Sequence, residues 1–138
     1  MGTWGAGVFE NDAAEDLLDE LGSVKAEDRT EVLRRVLAIP DSSEDDLRRK
    51  VDPAEVLAGI AVIAVNVSEG PRFSGEEDYP RMRSWLCGRV QHDLKTLSVR
   101  ALNLVDREFG WYWDSWIDEK ERGLALADVE KIRGMISV

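Results

Sequence analysis

The segment from Pro53 to Ser68 constrains this chain more than any other. Val56, Leu57, Ile60, Ala61, Val62, Ile63, Ala64, Val65 and Val67 leave it almost no polar face. A helix that is apolar nearly all round has to be buried on most sides. The β-branched residues would also suit a buried strand, but a run of about 14 residues exceeds the usual strand length, and alanine recurs throughout. The spacing therefore predicts a central helix over about 53–68. Asp52-Pro53 marks its start, since Asp can cap a helix and Pro suits the first helical position.

The remaining segments also read as helices. Residues 11–21 carry a stripe of Ala14, Leu17, Leu18 and Leu21, with Asn11 or Asp12 to cap and Gly22 at the C′ position. Residues 26–39 follow with Val32, Leu33, Val36 and Leu37 before Pro40, and the two segments form a short-looped helical hairpin. Residues 41–52 are polar, and suit a short capped turn or a loop equally. Ser68 to Tyr79 is a loop rich in breakers. Pro80 is expected to open a helix over 80–88 with Met82, Trp85 and Leu86. Another helix is expected over about 92–107, closed by Gly110, then a short one with Trp113, Trp116 and Ile117, and a last one over about 125–136. No segment alternates apolar and polar residues over a strand length, and there is no internal repeat. The expectation is an all-α compact bundle of six or seven short helices, with residues 1–138 as a single domain. At 138 residues the chain can bury a core without disulfides or metal.

Charge narrows the function classes. There are 28 acidic and 18 basic residues, a net of -10. Duplex recognition needs clustered Lys and Arg, so nucleic acid is not an expected partner. The acidity is local: residues 1–31 hold nine acids and two bases, whereas 81–107 hold two acids and six bases. Either these segments lie against each other, or the acidic one docks on a basic protein partner. A lone Cys87 and a lone His92 exclude an internal disulfide framework and the usual zinc site. The start has no basic and apolar pattern, so no signal peptide is expected; Ala6 breaks the myristoylation pattern, and no apolar run reaches the roughly 20 residues of a membrane span. A cytoplasmic setting without membrane contact is expected.

Four groups of residues could carry chemistry. Trp4-Gly5-Ala6-Gly7, with Phe9 and Asn11-Asp12, is the most distinctive stretch. Glycine turns can present amides to phosphate, yet no complete dinucleotide or phosphate-loop fingerprint is present. Packing of Trp4 and Phe9 on the core, with Gly5 and Gly7 supplying backbone freedom, is the favoured explanation of the stretch. Cys87 and His92 would not share a helix face, and no oxyanion motif accompanies them. Asp12, Asp16, Asp19 and Glu20 fall within two helical turns and could gather Mg²⁺ or Ca²⁺, although no calcium-loop pattern exists. Trp111, Tyr112, Trp113 and Trp116 are dense for so short a stretch. Trp113 and Trp116 are expected to point inward, leaving Trp111 or Tyr112 as the exposed contact residue. No catalytic set, cofactor or metal site emerges.

The opening Met-Gly-Thr-Trp-Gly-Ala-Gly-Val-Phe-Glu-Asn-Asp-Ala-Ala-Glu-Asp resembles the start of a bacterial family known as domain of unknown function 4259. Glu31 to Leu37, Asp93 to Val105 and Trp116-Ile117-Asp118-Glu119 are similar to later segments of that family. Lys50-Val51-Asp52 departs from its usual Tyr-Leu-acid, and a Trp common in its last helix has no counterpart here. The resemblance implies an all-α fold in a bacterial cytoplasm and weight on Trp4, Phe9, Asn11, Asp12 and Trp116, but no activity. Two functions are therefore carried forward. One is a non-enzymatic interaction module, inhibitor- or immunity-like in one form, with a basic partner. The other is a metal-assisted enzyme or small-ligand domain at the Trp4–Asp16 corner. A purely structural oligomer, with Trp111 or Tyr112 at its interface, is a third.

Overall fold

The computed structural model describes residues 7–40, 43–68, 70, 72–86, 92–108, 112–113 and 119–136. Six α-helices occur among them: α1 (Asp12–Ser23), α2 (Ala26–Leu37), α3 (Glu44–Lys50), α4 (Pro53–Val67), α5 (His92–Glu108) and α6 (Glu119–Ile136). Two 3-10 turns, Glu76–Asp78 and Met82–Ser84, lie between α4 and α5. The described residues contain no strand, and the all-α expectation holds.

The apolar segment is the hub. The Asp52 carboxylate accepts from the Ala54 amide at 3.0 Å, Pro53 occupies the first turn, and every residue from Val56 to Val65 is buried. Helices α1, α2, α5 and α6 and the Met82–Ser84 turn all pack on α4. Ile60 and Ile63 are fully enclosed, and burial of each such side chain stabilises by roughly 1.5–3 kcal/mol. Gly59 lies at the approach of two partners, where a Cβ would stand 3.5 Å from Val36 and 3.7 Å from Leu17. Alanine would just touch there, and a larger residue would wedge α1 and α2 off the hub.

α1 follows its sequence closely at the start. The Asn11 side chain accepts from the Ala14 amide at 2.8 Å, and Ala14, Leu17, Leu18 and Leu21 are buried. Its end differs from expectation. Gly22 is helical rather than a C′ residue, and the helix runs to Ser23. The end is closed instead by Arg29, whose Nε donates to the Leu21 carbonyl at 2.7 Å. The same guanidinium sits 5.6 Å from the Trp85 ring centroid, and that ring passes 3.6 Å from where a Gly22 Cβ would be. α2 stops at Leu37, two residues early, because a residue before proline is driven out of the helical region. Ala38 turns at φ -79° and ψ 67°, which drops Ile39 into the core. The expected hairpin exists in sequence, but α1 lies on α4, and α2 on α4 and α5 alike, rather than on each other.

Within 41–52, where a short capped turn or a loop is expected, Glu44–Lys50 forms a short helix. The Ser43 hydroxyl accepts from the Asp46 amide, and Leu47 anchors α3 in the core. The helix expected over 80–88 is a correction: among its described residues, 80–86, the 3-10 turn Met82–Ser84 forms instead. Asn66 of α4 is the reason. Its amide donates to the Met82 carbonyl at 3.0 Å, and its oxygen accepts from the Leu86 amide at 3.2 Å. Those two groups would bond each other in an α-helix, so the Asn66 side chain stands in the gap. Met82, Trp85 and Leu86 are still buried, because spacing of three suits a 3-10 turn as well.

α5 buries Leu94, Ala101, Leu102 and Val105, and its buried Ser98 hydroxyl donates to the Leu94 carbonyl at 2.8 Å. The Trp113 indole is buried and donates to the Val105 carbonyl, close to the end of α5. Gly88, Gly110, Trp116 and Ile117 lie outside the described residues, as do Cys87, Trp4, Gly5 and Trp111. α6 begins six residues earlier than expected, since Glu119 to Leu124 favour helix but show no apolar period. Ala125, Val129, Ile132, Met135 and Ile136 are its buried face.

Candidate functional site

The N-terminal motif forms a turn that is pinned on three sides. Within it the Glu10 amide donates to the Gly7 carbonyl, and the Gly7 amide donates to the Glu10 carboxylate at 3.0 Å. The Val8 amide donates to the Asp128 carboxylate of α6 at 2.9 Å. Phe9 is buried edge-on against Phe73, with ring centroids 5.7 Å apart. Gly7 is useful for its missing side chain, because the Glu10 carboxylate folds over the place a Cβ would take. Among the described residues the left-handed glycine is Gly75, at φ 92°.

Around that turn the proposed site residues separate. Asn11 is half-buried, committed as the cap of α1, and lines a small cavity with Gly7, Val8, Tyr112 and Trp113. The cavity holds about 20 Å³, room for a water molecule rather than a substrate. Tyr112 is half-buried against Trp113 and also faces a shallow hollow beside Arg48, Arg49 and Lys50. So the structure brings Asn11 and Tyr112 together, while Asp12 and Asp16 lie exposed on α1. Among the described residues no group of three or more His, Cys, Asp or Glu side chains could hold a metal.

The exposed side of α1 is acidic along its whole length: Asp12, Glu15, Asp16 and Asp19 face solvent, and Glu20 is half-buried. The loop after α4 adds two more exposed acids, Glu77 and Asp78. Glu10, Glu15 and Asp19 on one side and Glu77 and Asp78 on the other surround a hollow of about 410 Å³, floored by Phe9 and Tyr79. The Tyr79 hydroxyl donates to the Asp19 carboxylate at 2.9 Å. Burial and the Asp19 carboxylate raise the Tyr79 phenol well above its ordinary value, so it stays a neutral donor.

One carboxylate of this loop has a different task. Glu76 is buried, takes the Arg83 guanidinium at 2.8 and 3.1 Å, and accepts from Arg72 at 3.1 Å and from the Phe73 amide at 3.2 Å. Burial alone would push its carboxyl up; the hydrogen bonds from Arg83 and the Phe73 amide, with both guanidinium charges, outweigh this and hold it below the ordinary range. Glu76 thus fixes the loop so that Glu77 and Asp78 face out.

A second acidic group flanks α1. Glu55 of α4 is half-buried, and burial, followed by the charges of Asp52, Glu20 and Asp16, raises its pKa against the opposing pull of Arg35. Arg35 itself pairs with Glu20 at 3.0 Å. Among the described residues Arg34 of α2 pairs with Glu31 on its own helix and with Asp93 of α5, and Arg83 of the basic segment meets Glu76.

Sequence reasoning reached Asp19 only as one of four carboxylates and missed Glu77, Asp78 and Tyr79. The signal was the run Glu76-Glu77-Asp78-Tyr79 directly after Gly75, which read merely as loop. Residues 2–125 match the family described as domain of unknown function DUF4259. No curated protein and no solved structure matches the chain.

Proposed function

Because the chain belongs to the DUF4259 family, which carries no assigned activity, we propose its function from its surface: a non-enzymatic interaction module that receives a basic protein partner on its acidic face. The observation that carries this reading is the hollow between α1 and the 74–79 turn. Five carboxylates line it, and the row of acids on α1 extends it. Such a surface raises the local concentration of Lys- and Arg-rich segments and speeds their association. Binding of an inhibitor or immunity type, which blocks a basic surface on the partner, is one specific form.

The test is affinity capture from a bacterial lysate at low and at high salt, with the native protein and a Glu15→Gln/Glu77→Gln/Asp78→Asn variant. Screening shortens the reach of exposed charges from about 10 Å at 0.1 M to about 3 Å at 1 M salt. A basic protein retained by the native chain at low salt, and lost both at high salt and with the variant, supports the proposal. No retained protein, or equal retention by the variant, overturns it.

A further inference from the structure

We draw no further inference here: the strongest candidate, the acidic hollow between α1 and the 74–79 turn, belongs to the site already described, and nothing in the structure shows which group fills it.

Discussion

Replacing Glu76 should unlatch the loop that forms one wall of the acidic hollow. Its carboxylate is 2% exposed and accepts four hydrogen bonds, two of them from Arg83. Removing one partner of a buried ion pair typically costs 3–5 kcal/mol. Arg72 is 72% exposed, so its share is screened and adds a few tenths at most. Arg83 is 25% exposed and carries the larger part. Glu76→Ala is therefore expected to cost about 3 kcal/mol, near the low end of that range. Glu76→Gln keeps an acceptor for the Phe73 amide but loses the charge, and should cost about 1.5–2 kcal/mol.

Urea unfolding followed by circular dichroism measures both variants, and the midpoint should fall with an unchanged slope. The pH dependence is the sharper check. A carboxyl held below its ordinary value stabilises the fold above that value, here 4.5, and the benefit is lost as pH falls through it toward the folded-state value. The gap between native protein and Glu76→Gln should therefore be widest at neutral pH and close under acid. A variant within 0.5 kcal/mol of the native protein at pH 7, roughly the scatter of ordinary surface substitutions, would refute the reasoning. So would a gap that stays constant on acidification.

Other perturbations follow from named contacts. Asn66→Leu should cost about 2–3 kcal/mol and speed hydrogen exchange at the Leu86 amide, whose acceptor it removes; native-like protection there would contradict the clamp. Gly123 and Gly134 lie within α6, and a Cβ at either would meet nothing within 4 Å, so each Gly→Ala change should raise stability by about 0.8–1 kcal/mol in urea titrations. Glu55→Gln should stabilise at pH 7 by about 0.5 kcal/mol, since it removes a half-buried charge crowded by Asp52, Glu20 and Asp16. That gain should vanish as pH falls through the raised pKa of Glu55, where the native carboxyl takes up its own proton. A chain ending at residue 125, where the family match stops, should lose its cooperative unfolding transition, because Val129, Ile132, Met135 and Ile136 are core residues.

The architecture was legible wherever one rule spoke alone. Apolar residues on every side of 56–65 can only mean burial, and Asp52-Pro53 admits little besides a helix start. The same holds for Asn11 as a cap. Errors arose where a distant side chain settled a local choice. Gly22 suits a helix end by itself, yet the helix runs on to Ser23, Arg29 closes its end, and the Trp85 ring passes beside the glycine. Met82 to Leu86 suits a helix by itself, yet Asn66 takes its hydrogen bonds. The site was less legible for a related reason. Glu76, Glu77 and Asp78 are three adjacent acids, and the Arg83, Arg72 and Phe73 donors that meet Glu76 set it apart as the buried one. Asp12 and Asp16 stood out by spacing, but spacing along one helix says nothing of the loop that faces it across the hollow.

The bond from the Val8 amide to Asp128 joins residues 120 positions apart. It makes the Gly7–Glu10 turn wait for α6. During synthesis, α1, α2 and α5 can gather on α4 while the side of that hub reserved for α6 is still bare. The apolar face is then open to other nascent chains until α6 has cleared the ribosome. Docking of α6 is what brings Asp128 to the Val8 amide, so a protease or chaperone acting on the nascent protein before then would meet that seam open.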